Sequence, residues 1–185
     1  MDINKFRDSL FSLQTRKFGS VNEKFVEIVL KELEYIVEPS TDLSYDRNVN
    51  LKRNEIKGSR VLGKSFFDVE SDDIIQELYN HETNRKVSKS NPENVNWDCN
   101  IQQIKRSCFE ILWYVLYFED CIMIFKISSE SISSDKKIKY SNKQHRGNED
   151  EGQFHVTNKN IKYHLDNYFV REVSYSEMLD KLRKK

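Results

Sequence analysis

The sequence predicts an α/β domain whose elements run in the order αβββαβ, and three observations predict it. An apolar stripe at helical spacing lies near the N-terminus, two strand-like segments flank a short polar turn, and a long apolar run stands between two further strand-like segments. The first helix is expected over 20–38. Ser20-Val21-Asn22-Glu23 matches a capping box, Phe25, Ile28, Val29, Leu33 and Ile36 recur at helical spacing, and Pro39 ends the run. A strand over 43–49, a turn at 50–52 and a strand over 53–62 follow. Residues 64–97 are rich in Asn, Ser and Asp and read as an insertion with one short helix near 72–79. Strand character returns at 99–105. Ser107-Cys108-Phe109-Glu110 repeats the capping pattern ahead of FEILWYVLYF, whose all-round apolar character predicts a buried helix, and CIMIFKI over 121–127 predicts a buried strand. Strand, helix and strand with short links imply a parallel pair. Beyond 128 the chain is mostly polar, with extended structure expected at 153–156 and a closing amphipathic helix at 174–183.

A chain of 185 residues suits one domain, here 1–185, with a core over 20–127 and an extension over 128–185. Thirty Lys+Arg offset thirty Asp+Glu, which excludes a uniformly basic nucleic-acid coat. Hydrophobic residues are only 37%, yet 12% aromatics supply bulk for a core, to which Trp113, Tyr114, Tyr117 and Phe118 are assigned. No apolar run approaches the ~20 residues of a membrane helix, so no membrane partner is expected. The N-terminus is charged from its second residue, unlike a secretory signal. Cys99, Cys108 and Cys121 form no CxxC pair and fit free thiols in a reducing compartment. The four histidines lack metal-ligand spacing, which argues against structural zinc. The absence of alanine, beside abundant Asn, Lys, Ile, Tyr and Phe, reads as codon bias of an AT-rich genome. Charge is unevenly spread: 51–64 holds five basic residues against Glu55 alone, 68–77 holds five acids and no base, and 136–146 holds five bases and no acid. Two basic strips on a neutral chain suggest a focused anionic partner.

The most informative stretch is Tyr45-Asp46 followed by Glu55-Ile56-Lys57. Residues two apart on a strand face the same way, so Glu55 and Lys57 project together while Ile56 points into the core. Asp46, on the neighbouring strand, can then meet Glu55. Two hard oxygen ligands, with waters and a substrate phosphate, suit Mg²⁺, and a lysine beside them holds water and offsets developing negative charge. The (D/E)-x-K triplet also occurs as Asp135-Lys136-Lys137, but there the middle residue is polar and the context is a loop. A solvated ion-pair group on an edge strand is the bland alternative for Asp46, Glu55 and Lys57.

In triplet, upstream acid, following Gly58-Ser59 and element order, residues 20–127 resemble the PD-(D/E)XK nuclease superfamily, and within it type II restriction endonucleases. The resemblance implies a restriction-endonuclease-like core and Mg²⁺-dependent hydrolysis of double-stranded DNA at a short site. Asp46 and Glu55 would hold the metal together with the Ile56 carbonyl, and Lys57 would be the catalytic lysine. The proline that often precedes the first acid is replaced by Tyr45. Glu23 looks like the acid that some members present from the first helix, although as the third residue of a capping box it could instead bond the Ser20 N–H. Gln103 and Lys105 would line the cleft from the third strand. Cutting both strands would call for a homodimer. A bacterial cytoplasmic location goes with this reading. The alternatives are a repair or junction-resolving nuclease of the same fold, or a non-catalytic DNA-binding module.

DNA contacts are expected from Ser59 and Arg60 and from the basic segment before and within 153–156. Lys143, Gln144, His145 and Arg146 carry donors suited to phosphates and base edges, and Gln153 and His155 would share one face of an extended segment. A flexible polar loop is the plain alternative there.

Overall fold

The run ILWYVLY, apolar on every side, forms a central strand and not a helix: β5 (Ile111–Tyr117). Its alternate residues feed two separate cores. Leu112, Tyr114 and Leu116 enter one, Trp113, Val115 and Tyr117 enter the other, and none is more than 1% exposed. A strand buried on both faces carries the same unbroken apolar signature as a buried helix, so periodicity alone does not separate the two.

The computed structural model describes residues 2–64, 85–90, 92–143 and 150–184, and the helix expected near 72–79 lies outside them. Around β5 the sheet runs β1 (Val37–Pro39), β2 (Arg47–Val49), β3 (Lys52–Arg60), β5, β6 (Ile122–Ser128) and β8 (Phe169–Val173). β3 and β5 are parallel and every other neighbouring pair is antiparallel, so the sheet is mixed. The parallel pair expected between 99–105 and 121–127 does not form. β4 (Asp98–Ile104) instead pairs with β7 (Gly152–Thr157) in a separate antiparallel ribbon.

Five helices among the described residues complete an α/β arrangement. α1 (Ile3–Ser12), α2 (Thr15–Glu32) and the C-terminal α5 (Tyr175–Arg183) bury their apolar stripes on one face of the sheet. The β4–β7 ribbon, α3 (Ser129–Ser134) and α4 (Ile161–Tyr168) cover the other. None of the described helices is long and apolar enough to cross a membrane.

Both capping-box expectations fail. α2 starts at Thr15, which leaves Ser20 inside the helix with its hydroxyl donating to the Arg16 carbonyl at 3.3 Å. α2 stops at Glu32, and 37–39 of the expected helix become β1. Glu110 lies at a bend just ahead of β5 and accepts the Arg53 N–H at 3.1 Å. The expected strand over 43–49 contracts to β2, whereas the turn at 50–52 forms with Asn50 and Leu51 at φ 49° and 65°, the left-handed twist a tight hairpin needs. The supposed insertion contributes to the core through Val87 and Trp97. β7 and α5 form where extended and helical structure were expected, while α1, α3, α4 and β8 arise from segments without an expected element.

Candidate functional site

β2 pairs with β3 over 52–54 and β5 pairs with it over 54–60. Past Asn54, one edge of β3 therefore carries no strand among the described residues. Asp46, just ahead of β2, closes the start of that edge. Its N–H donates to the Asn54 carbonyl at 3.0 Å, and its Oδ2 accepts the Ile56 N–H at 2.7 Å. A strand residue sends its N–H and C=O to the same edge, so the Ile56 carbonyl opens on the side where Asp46 sits. Ile56 itself enters the core under α2, leaving Glu55 and Lys57 on the opposite face with Lys57 Nζ 2.5 Å from Glu55 Oε1. Arg47 anchors the approach by donating to the Asp46 carbonyl at 2.6 Å and to Glu27 Oε2 at 3.2 Å.

Asp46, Glu55 and Lys57 share one cleft of about 380 Å³ with Gln103, Lys105 and Glu151. The sequence placed Gln103 and Lys105 beside these three groups, and the structure does so too, although β4 belongs to the ribbon and not to the main sheet. Gln103 sits at a bulge with φ 59°, so strand alternation does not set its direction. Lys105 Nζ lies 3.4 Å from Glu151 Oε1, a partner that sequence spacing could not indicate. Glu23 does not cap a helix. It sits within α2, half-buried, and lines an adjoining cleft that shares Lys57 and Gln103 with the first.

Burial dominates the electrostatics. It pushes the Glu55 carboxyl up to about 7, with the Lys57 ammonium pulling down and the Asp46 carboxylate adding to the rise. Glu23 is raised by burial and then by Asp46, against the pull of Arg47 and Lys57. Lys57 is held above its ordinary value: burial works against its charge, but Glu55, Asp46 and Glu23 together outweigh that. Asp46, Glu55 and Glu23 surround the Lys57 ammonium, with Arg47 beside Glu23 and the Lys105–Glu151 pair across the cleft, so acids outnumber bases by one. A hard divalent cation would offset that excess. Among the described residues no group of three or more His, Cys, Asp or Glu is placed to hold an ion. The oxygen donors that could be offered to a divalent cation here are the Asp46 and Glu55 carboxylates and the Ile56 carbonyl.

The other expected contacts fare differently. Arg60 turns inward: its guanidinium donates to the Phe11 and Leu13 carbonyls at 2.6 and 2.8 Å and lies 4.8 Å from the Phe18 ring centre. It thereby satisfies the carbonyls where α1 ends, and does not offer itself to a phosphate. Ser59 lies beside the buried Cys99, whose thiol donates to the Arg60 carbonyl at 3.4 Å. Gln153 is buried and accepts from Asn100 Nδ2 at 2.7 Å, while His155 Nδ1 lies 2.6 Å from Asp98 Oδ1. Gln153 and His155 do share one face of β7, with Gln102 and Asn100 of β4 opposite them on that same face, and each is engaged by a β4 side chain. Lys143 is exposed, and Gln144, His145 and Arg146 lie outside the described residues. No family model, curated protein or solved structure matches the chain.

Proposed function

We propose that the chain is a Mg²⁺-dependent endonuclease of double-stranded DNA, of the type II restriction kind within the PD-(D/E)XK superfamily. One observation carries the reading: Asp46, Glu55 and Lys57, which lie apart in sequence or alternate along a strand, converge on one cleft at the open edge of β3. The antiparallel β1–β2–β3 meander leading into a parallel neighbour supports the restriction-endonuclease-like core. The helix expected within that core is β5, so the support rests on the first half of the pattern.

When bound by Asp46, Glu55 and the Ile56 carbonyl, Mg²⁺ supplies Lewis-acid polarisation of a phosphate oxygen and of water. Asp46 serves twice, because its hold on the Ile56 N–H fixes the carbonyl beside it. Lys57 orients the water for in-line attack on phosphorus and offsets the charge that builds there. Cleavage of the P–O3′ bond leaves a 5′-phosphate and a 3′-hydroxyl. One such site cuts one strand, so cutting both strands of a short symmetric sequence requires a homodimer.

The test is plasmid cleavage with Mg²⁺ by wild type, Asp46→Ala and Lys57→Ala. Wild type is expected to give discrete fragments, and each variant to lose activity by at least the ~10²-fold typical of removing a transition-state contact. Equal cutting by all three overturns the assignment.

A further inference from the structure

Beyond the carboxylate cleft, the open edge of β3 continues into a groove of about 460 Å³ between α2 and the ribbon, with Lys57 and Gly58 on its floor. Three features of this groove are not explained by packing alone. On the α2 wall, Arg16, Gly19, Ser20 and Glu23 form one polar stripe, opposite the buried Phe18, Asn22, Phe25 and Val26. Gly19 lies inside the helix, where glycine weakens it relative to alanine, yet a Cβ there would meet no atom within 4 Å. Packing therefore does not demand glycine; a bare helix surface facing the groove is what it provides. On the ribbon wall, Gln102 and Gln103 are exposed at the β4 bulge, and Gln103 adopts φ 59°, a conformation rare outside glycine. Beside them Asn100 spends its Nδ2 on Gln153, while its buried Oδ1 has no partner among the described residues.

Resting on the nuclease reading, we propose that this groove seats the DNA strand flanking the scissile phosphate. The sugar–phosphate chain passes along Arg16, Gly19 and Ser20, and the base edges face the exposed amides of Gln102 and Gln103. Arginine matches phosphate, bare helix backbone permits close approach, and side-chain amides pair donor with acceptor as adenine edges require. Sequence reading then comes from the β4 bulge, next to the reacting groups, because Gln153 and His155 are engaged by Asn100 and Asp98.

The full chain is assayed for binding to a labelled random-sequence DNA duplex in EDTA, so that affinity is read without cutting. Gly19→Leu is expected to bind about tenfold or more weakly, and Gly19→Ala less so, although both melt no lower than wild type. Arg16→Ala is expected to weaken binding and to lower the slope of log affinity against log salt by about one. Affinity falling while stability holds or rises is a pattern that a structural role for Gly19 cannot produce. Should Gly19→Leu fail to fold, the salt slope of Arg16→Ala decides. Unchanged binding by these variants, in a chain whose plasmid cutting still depends on Asp46, overturns the groove and leaves the nuclease reading standing. Groove-dependent binding by a chain that cuts nothing does the reverse. A wild type that neither binds duplex DNA nor cuts plasmid with Mg²⁺ overturns both.

Discussion

His164 gives the protein a built-in sensitivity to acid whose size follows from its surroundings. The imidazole is fully buried on α4, 2.8 Å from the Tyr114 hydroxyl through Nδ1, nearly parallel to the Phe154 ring and edge-on to Phe125. Its Nε2 is buried with no partner among the described residues. Burial drives the pKa down to about 4 from 6.5, against a weak upward pull from Asp135, whose carboxylate accepts the Tyr163 and Tyr168 hydroxyls at 2.5 Å each. A group with a depressed folded pKa stabilises the fold above its unfolded pKa, and that contribution drains away as pH falls through the folded value. Between about pH 6.5 and pH 4 the unfolded chain takes up a proton that the folded chain refuses, which costs about 3 kcal/mol at 1.36 kcal/mol per pH unit. The perturbation is His164→Phe, which keeps an aromatic ring beside Phe154 but cannot be protonated. At neutral pH the variant should lose about 1–3 kcal/mol, because the buried Tyr114 hydroxyl is left without its partner. On acidification it should lose less than wild type, so the two stability curves converge or cross near pH 4. Urea unfolding at a series of pH values, with m held constant, measures this. Parallel curves over that range would refute the argument, because they would mean that the buried imidazole binds its proton equally well folded and unfolded.

Glu55 should tilt the metal-free protein in the opposite sense. Its folded pKa lies above its unfolded 4.5, so its contribution is favourable at low pH and is lost as pH rises toward 7; Glu55→Gln should therefore gain on wild type in unfolding free energy between about pH 5 and pH 8, and a constant difference would count against it. Gly58→Ala should destabilise by about 1–3 kcal/mol, since its Cβ would stand 2.7 Å from Cγ of the buried Asn22, which is held in place by the Tyr117 hydroxyl at 3.0 Å. Adding Asn22→Ala should recover more than additivity allows, and a double-mutant cycle closing within about 0.5 kcal/mol would show that the two sites do not press on each other.

What was legible in the sequence was local. Glu55, Ile56 and Lys57 alternate because any strand alternates, so their relative directions needed no knowledge of the rest of the chain. The hairpin at 50–52 and α5 were equally readable, from a turn signal and a capped amphipathic run. β5 was not readable as a strand. Its neighbours β3 and β6 and the two cores on its faces make every one of its positions apolar, and only that tertiary setting tells a central strand from a buried helix. The two S-x-x-E patterns failed for a related reason. A capping box stabilises a helix start only where the preceding turn is not already helical, and at Ser20 the apolar stripe of α2 extends back through Phe18, which packs edge-on against Tyr117.

The remaining site residues depended on distant contacts. Glu23 reaches the carboxylates because Asn22, the residue before it, docks α2 against Gly58 and Tyr117. A buried amide bonded to a phenol 95 positions away leaves no trace in spacing. Arg60 and Gln153 show the converse. Each looks in sequence like a ready contact for phosphate or base, yet the fold needs them for its own unpaired groups. The end of α1 exposes carbonyls that Arg60 satisfies, and the ribbon presents an Asn100 amide that Gln153 accepts from. The donors available to a ligand are those left after the chain has met its own backbone and side-chain demands. By that accounting Arg16, Gln102 and Gln103 remain at the groove, and Arg60, Gln153 and His155 are already engaged.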